Sequence, residues 1–158
     1  MAPSRKWLFK SEPNCYSYDD LLAEPSGVGH WDGVRSYQVR NMMRDEMSVG
    51  DLVLFYHSSC PEPGIVGTAE IVSAAKPDPT QFDPASENFD PKSDPKNPRW
   101  LMVDILPLEK FDRLVPLAEL KATPALEGMI VTKRGNRLSI TPVTNEEWEI
   151  VCRLGKRS

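Results

Sequence analysis

Apolar residues recur along the chain with two different periods, which predict short strands separated by helices. Compact apolar runs typical of strands cover Lys6–Lys10, Asp51–His57 and Ile65–Ser73. A further segment rich in strand-forming residues covers Trp100–Leu106. Because helical patterns stand between these runs and no repeat links them, the sequence predicts a mixed fold of the α+β class.

Helical spacing follows residues that are suited to N-capping. Ser17 and Thr144 each stand three residues before an acidic side chain, which is the arrangement of a capping box. Ser36 is a third candidate cap, and its helix is predicted to end at Gly50. The core face of that helix is predicted to be a methionine-rich stripe: Val39, Met42, Met43 and Met47.

The remaining patterns predict a loop, a short helix and a hairpin. Lys76–Arg99 is dense in proline and aspartate, which disfavours regular structure and predicts a long ordered loop rather than a linker. Val115–Lys121 predicts a helix with Pro116 in its first turn. Val131–Ile140 predicts a hairpin around Gly135 and Asn136.

Composition indicates an ordinary folded protein with one domain, residues 1–158. The chain is 40% hydrophobic and 27% charged, and no apolar run is long enough to span a membrane. No signal-peptide layout is present at the N-terminus. The three cysteines are widely spread, which disfavours a disulfide framework. We therefore expect a monomer in the reducing environment of the cytoplasm.

Net charge restricts the partners that the chain can bind. A protein that wraps duplex DNA usually carries a broad basic surface, whereas this chain has a formal charge of −4. Nucleic acid would have to bind through a small basic patch and a specific pocket. Arg40 and Arg44 lie one helical turn apart and are the predicted phosphate contacts.

The segment Trp31–Asn41 concentrates aromatic, amide and basic side chains that a hydrophobic core does not need. Flat rings beside amides, hydroxyls and cations suit a pocket for a planar polar ligand such as a nucleobase. Trp31 is flanked by glycine, histidine and aspartate, so we expect it in a loop and as the first wall of the pocket. A second wall is expected from Trp100 or from the proline-rich loop.

Several strings, in order along nearly the whole chain, resemble those of EVE domains: Trp7–Pro13, Trp31–Asn41, Leu54–Ser58 with Gly64–Gly67, Asp78–Pro84, Asn97–Trp100 and Arg134–Ser139. The resemblance implies a PUA-like fold, which is a mixed, mostly antiparallel β-barrel of about five to six strands with surrounding helices. It also implies a reader of modified DNA or RNA bases, related to the YTH domains that hold a methylated adenine in an aromatic cage.

By comparison with YTH domains, Lys10 and Ser11 match a lysine–serine pair that borders the pocket. The segment after Trp31 is expected to supply base-edge contacts, and the end of the predicted strand Asp51–His57 is expected to close the rim. The full set of predicted ligand-binding residues is Trp31, Lys10, Ser11, Val34, Arg35, Tyr37, Gln38, Asn41, His57 and Ser58. We expect a modified-base-containing nucleic acid as the partner, without a cofactor, a metal or a catalytic residue.

Two other functions remain open at this stage. Some PUA-like relatives in the ASCH group are amidohydrolases with a Lys-Thr-Glu set, and Lys10 and Glu12 supply two of those residue types. Such a hydrolase would act on a modified nucleoside. Alternatively, Trp31 and the long loop form a surface for a protein partner. A metal site is disfavoured because His57 and Cys60 have no second pair at suitable spacing.

Overall fold

Seven strands and four α-helices make up the regular structure in the computed structural model, which describes residues 4–135 and 138–156. The strands are β1 (Lys6–Ser11), β2 (Gly29–Trp31), β3 (Leu52–His57), β4 (Gly64–Ile71), β5 (Lys76–Pro77), β6 (Leu101–Pro116) and β7 (Ile140–Val143). The helices are α1 (Tyr18–Leu22), α2 (Tyr37–Asp45), α3 (Leu117–Ala122) and α4 (Asn145–Gly155).

One sheet in the order β2-β6-β4-β3-β1-β7 organises the molecule, and β5 pairs separately with β6. The β1–β3 pair is parallel and the other pairs are antiparallel. The sheet curls into a half-barrel. The predicted α+β class and mixed, mostly antiparallel sheet are therefore confirmed.

Alternating side chains of the central strands feed two hydrophobic clusters. On β1, Trp7 and Phe9 join one cluster, whereas Leu8 joins the other. The first cluster also takes the core faces of α1 and α2, and the predicted methionine stripe lies in it. The second cluster takes α3 and α4. Within the described residues, no helix combines the length and apolar character needed to cross a bilayer.

Local signals placed most helix starts correctly. Ser17 and Thr144 both form the predicted capping boxes, and the Ser36 hydroxyl accepts from the N–H of Val39 at 3.4 Å. Helix α2 ends at Asp45, before the predicted stop at Gly50. Helix α3 begins one residue after Pro116, which serves as its N-cap.

The predicted hairpin over Val131–Ile140 is wrong in its first arm. Residues Ile130–Thr132 form a 3₁₀ turn, and β7 pairs with β1 rather than with the preceding segment. In its observed position, β7 forms an antiparallel ladder with the edge of β1, from Lys6 to Phe9. A local hairpin would not form these hydrogen bonds. The central Asn136, together with Arg137, lies outside the described residues.

The loop over residues 76–99 packs on the body, as expected, and polar contacts hold it. The expectation that it lacks regular structure is wrong at its start, where β5 pairs with β6 and Pro79–Phe82 form a 3₁₀ turn. Gln81 is fully buried; its amide nitrogen donates to the carbonyls of Asp78 and Trp100, at 2.7 and 2.8 Å. Its amide oxygen accepts from the Trp100 N–H and the Ser93 hydroxyl. Phe89 is exposed. Buried hydrogen bonds therefore fix this loop more than its phenylalanines do.

Candidate nucleic-acid-binding site

A pocket of about 570 Å³ opens where β1 and β2 end, beside the turn into α1 and the long loop. We call it the tryptophan pocket. Strand β1 contributes its last two residues, which follow its buried part, and β2 also contributes its last two residues. Its lining consists of Lys10, Ser11, Glu12, Cys15, Tyr16, Glu24, His30, Trp31, Asp32, Gly33, Val34, Glu87 and Ser139.

Trp31 forms the apolar wall and belongs to the core at the same time. Its ring lies 4.9 Å from that of Phe9 and 5.6 Å, edge to face, from that of Phe55. Only 8% of the residue is exposed. The expectation of a loop position is wrong, because Trp31 ends β2 and pairs with Val103 of β6. The two neighbouring rings hold the indole in one orientation.

Lys10 and Ser11 bring polar groups to the same pocket from the end of β1. The Ser11 hydroxyl donates to the Tyr16 carbonyl at 2.5 Å, which leaves its oxygen able to accept. Burial lowers the pKa of Lys10. Among residues 4–135 and 138–156, its ammonium has no hydrogen-bond or ion-pair partner. A partly desolvated, unpaired cation is costly to the fold and is typical of a functional site.

Carboxylates dominate the rest of the pocket lining. Among the described residues, the lining has four carboxylates, Glu12, Glu24, Asp32 and Glu87, and one ammonium, that of Lys10. The Tyr16 hydroxyl donates to Glu24 at 2.8 Å, and burial together with that hydrogen bond raises the pKa of Tyr16. This acidic lining repels phosphate and favours uncharged groups that carry N–H donors.

Two glycines give the pocket its shape. A Cβ on Gly29 would meet the hydroxyl oxygen of Tyr16 at 2.6 Å, so only glycine lets that ring lie across β2. Gly33 has a φ of 77°, a conformation that side chains disfavour, and it turns the chain from Trp31 toward α2.

A buried ion pair anchors this turn to the long loop. Asp78 is fully buried and accepts from the Gly33 N–H at 2.8 Å and from the Arg35 guanidinium at 3.0 Å. Burial by itself would raise the pKa of Asp78, but hydrogen bonds from Thr80, Gly33 and Arg35 outweigh it and hold that pKa below its usual range. Arg35 also donates to the carbonyl of Asn88. This arginine braces the pocket from behind.

A second cavity, of about 700 Å³, lies between α2 and the end of the long loop. We call it the basic groove. Among the described residues, four cations and one carboxylate line it. The lining residues are Tyr37, Arg40, Met43, Arg44, Met47, Ala74, Ala75, Lys92, Ser93, Asp94, Asn97, Pro98, Arg99 and Leu101. The sign of the charge is thus opposite to that of the tryptophan pocket.

Alternating cations and aromatic rings connect the two cavities. The Arg40 guanidinium lies 4.9 Å from the Tyr37 ring, and that ring lies 4.9 Å from the Trp100 ring. Arg35 in turn lies 5.5 Å from the Trp100 ring. The Trp100 indole N–H donates to Asp90 at 2.7 Å. Trp100 is therefore a buried support of the groove and does not line the pocket.

The structure divides the sequence-predicted site residues among several places. Four of them line the tryptophan pocket: Lys10, Ser11, Trp31 and Val34. Three line the basic groove: Tyr37, Arg40 and Arg44. Arg35 lies between the cavities and binds the long loop.

The other predicted residues line neither cavity. Gln38 is exposed on α2, and the Asn41 amide oxygen accepts from Arg40 at 2.8 Å. His57 accepts from the Tyr18 N–H at 3.1 Å, and burial lowers its pKa, which suits the neutral acceptor form. The Ser58 N–H donates to the Ser11 carbonyl. His57 and Ser58 therefore support α1 and β1 from the side.

Sequence reasoning missed several lining residues. Tyr16, Glu24 and Glu87 approach Trp31 only through the fold, and nothing in their local sequence marks them. Lys92 and Arg99 carried a signal that could have been used, because they are cations in a loop otherwise dense in aspartate and proline.

Comparison with known proteins agrees with this geometry. The family model described as "EVE domain" matches residues 5–154. Human thymocyte nuclear protein 1 is 43% identical over 171 residues, covering 98% of this chain and 75% of the human protein.

Solved structures place the fold in the same group. A structure of human THYN1 protein in complex with 5-methylcytosine containing DNA has a TM-score of 0.91 at 41% identity and covers 98% of this chain and 99% of that one. A Pseudomonas syringae protein has a TM-score of 0.88 at 44% identity, covering 95% and 99% of the two chains.

A more distant structure shows the fold alone. The YTH domain of Zygosaccharomyces rouxii MRB1 protein, in complex with N6-methyladenosine RNA, has a TM-score of 0.55 at 16% identity, covering 99% of this chain and 91% of that one. The family match spans almost the whole chain, and its strings surround both cavities. The chain belongs to the EVE domain family.

Proposed function

We propose that this protein is a non-catalytic reader that binds nucleic acid and accommodates one modified base, turned out of its strand, in the tryptophan pocket. The observation that carries the proposal is the Lys10 ammonium, which no described residue pairs, beside the Trp31 wall in a cavity of about 570 Å³. Cavities of that size suit ligands no larger than a drug molecule.

The energetics of base extrusion fit such a pocket. Unstacking a base costs a few kcal/mol, and stacking on an aromatic ring returns about 1–3 kcal/mol. The Lys10 ammonium and the Ser11 oxygen add polar contacts at the base edge. The relative solved with 5-methylcytosine containing DNA supports a modified base as the ligand.

A hydrolase acting on a modified nucleoside is the alternative. Lys10 and Glu12 both line the pocket, but no threonine does among the described residues, so the Lys-Thr-Glu set of the ASCH amidohydrolases is incomplete. This favours binding over catalysis. Release of a product from a modified nucleoside, lost on Glu12→Gln with binding retained, would establish the hydrolase instead.

The proposal also treats residues 1–158 as one functional unit in a reducing compartment. The three cysteines are all free, which agrees with that compartment.

The decisive test is the Lys10→Met variant, with Lys6→Met on the same strand as its matched control. We expect Lys10→Met to weaken binding of a single-stranded oligomer carrying 5-methylcytosine by about tenfold, since one charge-assisted contact is lost. Its free energy of unfolding should not fall, because no protein partner of Lys10 is left unpaired.

Fluorescence anisotropy and urea unfolding measure the two quantities. Lys6→Met should bind as the wild type does. Equal affinities of Lys10→Met and wild type, or equal binding of modified and unmodified oligomers across a panel of base modifications, would overturn the proposal.

A further inference from the structure

We infer that the basic groove is the track for the phosphodiester backbone next to the extruded base, and that it binds nucleic acid whether or not the base is modified. The inference deepens the proposed function, because it assigns the backbone and the base to separate cavities. It rests on the charge and on the connection of the two cavities.

The acidic pocket requires a separate place for the phosphates. Among residues 4–135 and 138–156, four carboxylates and one ammonium line the pocket, so a phosphodiester that followed the base inward would be repelled. The groove has the reverse balance, with four cations and Asp94 as its carboxylate. On a chain of net charge −4, such a concentration of positive charge needs a local reason.

The cations of the groove are not all neutralised by the protein. The Arg44 guanidinium donates two hydrogen bonds to the Asp45 carboxylate, at 2.8 and 2.9 Å. The Arg99 guanidinium lies 3.5 Å from the Asp90 carboxylate. The Arg40 guanidinium, in contrast, donates to the Arg99 carbonyl and to the Asn41 amide oxygen. Within residues 4–135 and 138–156, neither Arg40 nor Lys92 forms an ion pair with a carboxylate.

The two cavities are adjacent along the chain. Val34 lines the pocket and Tyr37 lines the groove, so their Cα atoms are at most about 11 Å apart. At the 3.4 Å rise of a strand in B-form DNA, this distance spans about three nucleotides. Tyr37 is exposed and keeps its ring between Arg40 and Trp100, which holds that guanidinium at the groove. A strand with one base in the pocket is therefore long enough, within about three nucleotides, to contact the groove.

The test compares two double variants that make the same change in net charge. Arg40→Gln with Lys92→Gln removes the unpaired groove cations, whereas Lys121→Gln with Arg153→Gln removes exposed cations on α3 and α4. Anisotropy is measured from 50 to 200 mM salt with a labelled single-stranded DNA carrying one 5-methylcytosine, with the same oligomer carrying cytosine, and with the unmodified duplex.

We expect the groove variant to lose on the order of tenfold in affinity for both single strands at low salt. Its slope of log K against log salt should fall by about 1.4, since each phosphate contact on a single strand contributes about 0.7. The ratio between modified and unmodified oligomers should stay unchanged. The control variant should behave as the wild type, and Lys92→Gln alone, on the exposed loop, should show half of the change in slope.

Other outcomes overturn the inference or separate it from the proposed function. Equal effects of the two double variants would show that the groove makes no backbone contact. Equally strong displacement of the oligomer by a hexaglutamate peptide would identify a protein-binding surface instead. If the wild type binds modified and unmodified oligomers with equal affinity while the groove variant still loses affinity, the proposed function is overturned and the inference about the groove is not. A groove effect seen only with the duplex would overturn the assignment to the strand of the extruded base.

Discussion

The tryptophan pocket and the basic groove are built from neighbouring residues but from opposite chemistry. In the part of the chain that the structure describes, the pocket has a rigid aromatic wall, one ammonium without an ion-pair partner, and four carboxylates. The groove has four cations and an aromatic ring that stays exposed. Apolar and shape-dependent contacts distinguish one base from another, whereas cations on a backbone read no sequence. Under the proposed function, the pocket supplies selectivity for the base and the groove supplies affinity for the backbone.

The two regions also differ in how they are held. Trp31 is part of a hydrophobic cluster and cannot move without disturbing Phe9 and Phe55. The groove depends on hydrogen bonds of the long loop and on exposed side chains. Substitution of the Trp31 wall of the pocket should therefore cost stability, and substitutions in the groove should cost mainly affinity.

The largest effect is expected for Trp31→Ala. Removing an indole that is 8% exposed should lower the free energy of unfolding by about 4 kcal/mol, because the core is left with a cavity. Trp31→Phe should cost only about 1–2 kcal/mol and gives a folded protein for binding.

Urea unfolding and anisotropy with the paired oligomers check this separation. The Trp31→Phe variant should bind the unmodified oligomer as the wild type does and lose the preference for the modified one. Loss of affinity for both oligomers by the same factor would show that the two regions do not act separately.

Asp78→Asn is expected to disturb both regions, since Asp78 joins the turn at Gly33 to the long loop. Breaking this buried pair leaves the Arg35 charge without its carboxylate and should cost about 3 kcal/mol. Asp112→Asn, at an exposed position, is the matched control. Unfolding curves compare the two variants, and an equal stability would contradict the bracing role of Asp78.

Acid should act on the same contact. The pKa of Asp78 in the folded protein lies below that of an unfolded aspartate, which is about 3.9. The stability that the ionised Asp78 contributes is therefore complete above the unfolded pKa and is lost as the pH falls through the lower folded pKa. The stability difference between wild type and Asp78→Asn should therefore narrow in that acid range. A difference that stays constant to the lowest pH would argue against the ion pair.

The smallest effect is expected for Tyr37→Ala. The residue is 52% exposed, so the fold should lose little stability, while the Arg40 guanidinium loses its aromatic support. Affinity for either oligomer should fall by about threefold, the equivalent of a cation–π contact worth roughly 0.5–1 kcal/mol. Tyr37→Phe keeps the ring and should bind normally. A changed preference for the modified base would place Tyr37 in the pocket instead.

The sequence by itself determined the strands with compact apolar runs, the caps at Ser17, Ser36 and Thr144, and the family to which the chain belongs. These features depend on periodicity and on hydrogen bonds between near neighbours, which are local. Four predicted site residues, Trp31 with Lys10, Ser11 and Val34, do meet in one pocket. The motif strings made that prediction possible, because they place aromatic side chains beside hydroxyls, amides and cations.

Only the tertiary structure decided where the charges collect. Acidic and basic residues are mixed along the chain. The long loop, for example, contributes Glu87 to the pocket and Lys92 to the groove. Trp31 is a core residue because β2 pairs with β6. Strand β7 pairs with the edge of β1 and does not form a local hairpin. Contacts between distant residues are set by sheet pairing and by the burial of Asp78 and Gln81, which no local pattern encodes.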